Sequence, residues 1–220
     1  MKTRLFSCIT LTLLMTLLAL SSADAQHKGK GVTAASGSYP VSDEEYAIYS
    51  ALMESLYAGR GHKSLVIEKE IAGCTGTGNN PEGEKARQQN LSRLPEKLKG
   101  LSASTVSSFR TRERHCAQLE GKLAIRANYQ LISKQQRIGI FSQKEPARSW
   151  VNFYKKFPGS IGYINVSGIG FNEDQSQALI ETFMKCGSGC GSNHFALLLK
   201  KDGQWSVTAT YKVWEMSARR

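Results

Sequence analysis

Apolar side chains stand at every second position from Trp205 to Val213: Trp205, Val207, Ala209, Tyr211 and Val213, parted by Ser206, Thr208, Thr210 and Lys212. A period of two marks a strand with one buried face, because successive side chains of a strand point to opposite sides. Before it, Asn193 to Lys200 is apolar on both faces (Phe195, Leu197 and Leu199; Ala196 and Leu198), which suits a central strand. Asp202-Gly203 lies between the two runs, and that pair favours a type I′ hairpin turn, which needs positive φ twice. Further back, Ile161 to Phe171 and Ser176 to Cys186 flank the polar turn Asn172-Glu173-Asp174-Gln175. Four strands in sequence order predict an antiparallel meander, pinned in the middle by Cys186-Gly187-Ser188-Gly189-Cys190.

The turns also set the register. A two-residue Asp202-Gly203 loop opposes Lys201 to Gln204, and so Leu198 to Val207, Ala196 to Ala209 and His194 to Tyr211. A three-residue loop between the cysteines opposes Ala196 to Ile180 and His194 to Thr182. Together these counts place Ile180, Ala196, Leu198, Val207, Ala209 and Tyr211 on one core face, with His194 beside Tyr211 and Thr182. The Asp-Gly count is the firmer one, since a glycine bulge at Gly189 or Gly191 would slip the other.

Upstream, Met1 to Leu20 has a basic start and an apolar run, and Ala23-Asp24-Ala25 offers a small-x-small cleavage site. Residues 1–25 therefore read as a signal peptide, 26–41 as a disordered Gly/Ser/Lys-rich leader, and 42–218 as a single domain. Ser42-Asp43-Glu44-Glu45 is a capping box opening a helix with Tyr49, Leu52, Met53 and Leu56 on one side, stopped at Gly59 or Gly61. Ser64 to Ile71 reads as a strand. Glu84 to Lys99 is helical in part, with a break or fresh start at Pro95, and Ser104 is a candidate cap for a short helix through Arg112. Leu123 to Ile132 is the better strand candidate of two ambiguous segments, Arg137 to Phe141 being the other. Pro146 starts a helix closed by Pro158-Gly159. The expected class is α+β: an antiparallel β-meander of at least four strands, five or six with Leu65–Ile71 and Leu123–Ile132, with N-terminal helices covering one face.

Export changes how the cysteines read. Without Cys8 the chain has four, an even number suited to bridges in an oxidising compartment. Four cysteines allow three connectivities, of which Cys186–Cys190 with Cys74–Cys116 is favoured. The formal net charge is +11, and Arg110 to Ser160 holds eleven Lys or Arg against Glu113, Glu120 and Glu145. Charge of this kind keeps a protein soluble or builds an anion-binding face, for which Arg110, Arg112, Arg114, Lys155 and Lys156 are the candidates.

Recognisable catalytic patterns are weak. Gly76-x-Gly78 has neither a third glycine at dinucleotide spacing nor a following Gly-Lys-Ser/Thr, so it reads as a turn at Cys74 and no cofactor is expected. Cys186, Cys190 and His194, with His115-Cys116, could ligate zinc, but the bridge is preferred and no metal is expected. A Cys/His nucleophile would need a reduced thiolate, which bridged cysteines do not offer. Glu68 and Glu70 read as a solvated face. Asn90-Leu91-Ser92 and Asn165-Val166-Ser167 are glycosylation triplets by pattern only. Gly168 and Gly170 read as a bulge or as close packing against the preceding helix.

Trp150-x-x-Phe153-Tyr154, Pro158-Gly159-Ser160-x-Gly162 and Ser167-Gly168-Ile169-Gly170-Phe171-Asn172 resemble a group of exported bacterial proteins of unknown function. Ala178-Leu179, Cys186-x-x-x-Cys190-Gly191, Lys200-x-x-Gly203-x-Trp205-x-Val207 and Trp214 continue the resemblance over the last part of the chain, which departs from it in ending Trp214-Glu215-Met216-Ser217. The resemblance implies export and this fold, and it carries no activity. The expectation is a secreted or periplasmic protein that binds a partner or small ligand. An exported enzyme, and an anion-binding protein for nucleic acid, polysaccharide or lipid headgroups, are the alternatives.

Overall fold

The computed structural model describes residues 39–58, 64–72, 81–113, 115–142 and 145–217. In chain order its elements are β1 (Tyr39–Pro40), α1 (Asp43–Leu56), β2 (Ser64–Glu68), α2 (Pro81–Lys97), α3 (Ala103–Arg112), β3 (Ala117–Gln118) and β4 (Asn128–Ile132). They continue with α4 (Lys134–Ile140), α5 (Pro146–Lys156), β5 (Ser160–Val166), β6 (Gly170–Phe171), β7 (Gln177–Gly187), β8 (Cys190–Lys201) and β9 (Gln204–Met216). The expected signal peptide and most of the leader lie outside the described residues. Tyr39 and Pro40, read as leader, pair instead with Ala117 and Gln118.

The class is α+β, as the alternation predicts. A seven-stranded sheet runs β4-β2-β5-β7-β8-β9, with β6 paired beside β7. From β5 to β9 it is the expected antiparallel meander. At the other end β2 lies parallel to both β4 and β5, because helices carry the chain back across the sheet between these strands.

Register follows the turns until bulges on β9 interrupt it. Asp202 and Gly203 both have positive φ, and Leu198 opposes Val207 as counted. Ile180 opposes Ala196 and Thr182 opposes His194, also as counted. Two shifts then follow on β9: Leu197 opposes Ala209, leaving Thr208 over, and Asn193 opposes Trp214, leaving Val213 over. Each extra residue flips the alternation. Ala209 and Tyr211 therefore leave the face shared by Ala196, Leu198 and Val207 and pack with Phe195 and Leu197 on the other. Lys212, not Tyr211, stands opposite His194.

Helices cover both faces of the sheet. On the first, α1 lays Tyr49, Leu52 and Met53 against Ile67, Ile164, Ile180, Ala196 and Leu198. On the second, Leu91 and Leu94 of α2 and Phe109 of α3 cover Leu179, Phe195 and Leu197. Alongside them, Phe153 and Phe157 cover Val66, Ile132 and Tyr163. The expectation of helices on one face holds for α1 alone. A sheet apolar on both faces in β2, β7 and β8 needs a second layer to keep that surface from water.

Local chemistry sets the helix ends. The Ser42 hydroxyl accepts from the Glu45 N–H at 3.2 Å, and the Ser42 N–H donates to Glu45 Oε2 at 2.9 Å. Ser102, rather than Ser104, caps α3 through the Thr105 N–H. Ser133 and Gln136 form a second capping box, so Arg137–Phe141 belongs to a helix and its cap. Pro95 falls two residues before the end of α2, and the helix runs through it without the expected break. Gly168 and Gly170 do mark a close approach, although to α3 rather than to the preceding helix. A Cβ on Gly170 would collide with the Phe109 backbone, and one on Gly168 with the Arg112 carbonyl.

Candidate functional site

A cleft of about 350 Å3 opens on the first face of the sheet, between the end of α1 and the cysteine hairpin. Leu56, Tyr57, Ile161 and Met184 line it together with the two sulfurs of Cys186 and Cys190. Ser192, His194 and Glu215 supply its polar groups. Alternation on β8 explains why: Cys190, Ser192 and His194 are two residues apart and share one side of the strand. Ser192 is directly opposite Glu215 on β9 and His194 is directly opposite Thr182 on β7. The bulge at Val213 is what brings Glu215 onto this face.

Ser192 is only 4% exposed, and among the described residues nothing hydrogen-bonds its hydroxyl. Glu215 sits at the rim, where its carboxylate accepts from the Lys212 ammonium. At the back of the cleft the Tyr57 hydroxyl is 3.0 Å from the Thr182 hydroxyl, and the latter donates to the Asn165 carbonyl at 3.3 Å. His194, opposite Thr182 as expected, is half-buried and lines the cleft.

Cys186 and Cys190 are bridged, with Cα atoms 5.0 Å apart. The chain turns at Ser188-Gly189, and Cys186 is the extra residue of a bulge, so the hairpin is tighter than the three-residue loop expected. The Tyr154 hydroxyl of α5 donates to the Cys186 carbonyl at 2.8 Å and ties this end of the hairpin to the second helix layer. A bridge closing so short a loop is worth about 2 kcal/mol in the chain-entropy treatment, so its larger effect is to hold the cleft wall in shape. Cys116 is disulfide-bonded as well, and its expected partner Cys74 lies outside the described residues.

The candidate anion-binding residues are carried on two helices. Arg110 and Arg112 end α3, Lys155 and Lys156 end α5, and Arg114 lies outside the described residues. Arg112 donates to Glu45 Oε1 at 2.8 Å and lies over the Tyr39 and Phe171 rings, so its charge is matched within the fold. Arg110 reaches Gln88 at 3.4 Å, and the Lys156 ammonium lies over Phe157.

Two ionic clusters that sequence spacing could not reveal occupy the second face. Arg87 of α2 donates to both Glu181 of β7 and Glu113 at the end of α3, and Asn193 donates to Glu181 at 2.9 Å. Burial pushes the Glu181 carboxyl up, against the pull of Arg87 and Asn193. In the other cluster Glu68, read as solvated, is only 2% exposed. It accepts from Arg137 at 3.0 Å and from Asn165 at 3.3 Å, while its Oε1 has no partner among the described residues. Burial pushes Glu68 up too, with Arg137 opposing.

A carboxyl raised in the folded state binds its proton more readily there than in the unfolded chain. Its contribution to stability is therefore full below the ordinary carboxylate range and is lost as pH rises through the raised value. Glu68→Gln should accordingly compare better with the wild type at pH 7 than at pH 4, as read by urea unfolding at both. A difference that moves the other way would show that Arg137 outweighs burial at this site.

Among the described residues no helix is long and apolar enough to cross a membrane, and no group of three His, Cys, Asp or Glu side chains is placed to hold a metal ion. Compared with known proteins, the chain matches no family model, no curated protein and no solved structure.

Proposed function

We propose that this is an exported, non-enzymatic protein that binds a small ligand in the cleft between α1 and the cysteine hairpin. The carrying observation is the cleft itself: apolar walls from three separate elements, with a buried hydroxyl, an imidazole and a carboxylate gathered on β8 and β9. Ligand sites commonly combine a mostly apolar lining with a few placed polar groups, and at about 350 Å3 this one stands at the small end of the roughly 300–1,000 Å3 range. Binding rather than turnover is favoured because the two lining cysteines are joined to each other and present no thiolate. The bridge also fits an oxidising compartment, in keeping with the signal-like N-terminal sequence.

The test uses a neutral, environment-sensitive probe, N-phenyl-1-naphthylamine, whose emission rises on entering apolar surroundings. The wild type should enhance it saturably, and Met184→Trp, which fills the cleft from β7, should abolish the enhancement while keeping the wild-type melting transition. Unchanged enhancement in that variant, or none with the wild type, would overturn the proposal.

A further inference from the structure

We infer that the cleft selects ligands with a cationic nitrogen on a ring-sized apolar body, as in an arylalkylamine; this rests on the cleft being a binding site. The chain carries 29 Lys or Arg against 18 Asp or Glu, yet the described lining contains one carboxylate, Glu215, and neither Lys nor Arg. In so basic a protein an anion has better places to go, whereas this cleft offers a negative group beside apolar walls.

The geometry of the polar end fits an ammonium group. Ser192 and Glu215 are direct cross-strand partners, so their Cβ atoms stand roughly 4.5–5.5 Å apart and both side chains reach one head group. An ammonium has three donors and no acceptor. Ser192 and Glu215 both accept, and Ser192, 4% exposed at the cleft wall and with no hydrogen bond to its hydroxyl among the described residues, offers that oxygen to a ligand. A ligand carboxylate would instead face Glu215 with like charge.

Lys212 already holds Glu215, but both side chains are about half exposed, at 50% and 53%. Ion pairs of that exposure are weak, so an incoming ammonium can compete with Lys212 for the carboxylate. For the body of the ligand, the Met184 thioether and the Cys186–Cys190 sulfurs make a polarizable wall, and thioethers in particular favour aromatic contacts.

Three probes of one shape separate the possibilities by calorimetry with the full exported protein: tryptamine, 3-methylindole and indole-3-acetate. Tryptamine should bind at least about tenfold more tightly than the acid, with 3-methylindole between them. Glu215→Gln, a change at an exposed position, should cost tryptamine about tenfold and leave 3-methylindole unchanged. Ser192→Ala should weaken tryptamine by about threefold to fivefold. Equal or tighter binding of the acid, or a Glu215→Gln variant that holds tryptamine as well as the wild type, would overturn the selectivity while leaving the cleft a binding site. Failure of all three probes to bind, together with no response to N-phenyl-1-naphthylamine, would remove the binding site itself.

Discussion

Replacing Arg87 with methionine should destabilise the protein by about 3–5 kcal/mol, among the largest effects expected of any side chain in this fold. Breaking a buried ion pair from one side leaves its partner charge without compensation. Here one guanidinium serves two carboxylates, Glu113 and Glu181, whose side chains are only 6% and 2% exposed. The methionine keeps the methylene packing of the arginine stem, so the loss reports charge rather than volume. Urea unfolding at pH 7 gives the measurement. Arg87→Met combined with Glu113→Gln and Glu181→Gln should recover most of the loss, because this cluster then holds no uncompensated charge. A loss below about 1 kcal/mol for Arg87→Met alone would mean that both carboxylates reach water in solution.

Gly162→Ala is expected to cost on the order of 4 kcal/mol, combining backbone strain and overpacking of roughly 1–3 kcal/mol each. Gly162 has φ of +116°, outside the range that side-chain-bearing residues adopt. An added Cβ would also run into the Lys185 carbonyl and stand 2.9 Å from the Cys186 Cα. Both neighbours are backbone of the paired strand β7, so the strain cannot be relieved by a rotamer change. The consequence reaches the site, because Ile161 and Cys186 line the cleft on either side of this contact. Thermal unfolding should show the loss, and probe binding at 10 °C should be weakened in whatever fraction stays folded. A variant with the wild-type melting temperature would refute the close approach of β5 to β7 at this point.

Alternation and turn chemistry are local properties, so the meander, the Asp202-Gly203 turn, the Ser42 capping box and the Cys186–Cys190 bridge are legible in the amino-acid sequence alone. The same chemistry is present at Ser133-Lys134-Gln135-Gln136, where Ser and Gln three apart announce the start of α4. At Ser102 the better cap lies two residues before the serine favoured from the sequence. Of the site, the sequence held Cys186, Cys190 and His194, and it placed His194 opposite Thr182. It did not contain the bulges at Thr208 and Val213. A one-residue slip carries no local signature in a strand whose apolar side chains already alternate with Ser, Thr and Lys, and it is settled by how β9 packs in the folded protein. Those slips moved Tyr211 to the second face and brought Glu215 to the cleft beside Ser192. Distance along the chain hid the rest. Arg87 meets Glu181 across 94 positions, and Tyr57 meets Thr182 across 125. Buried charge can persist only where a partner is supplied, so the fate of Glu68 and Glu181 was decided by which helix the tertiary structure set over each of them.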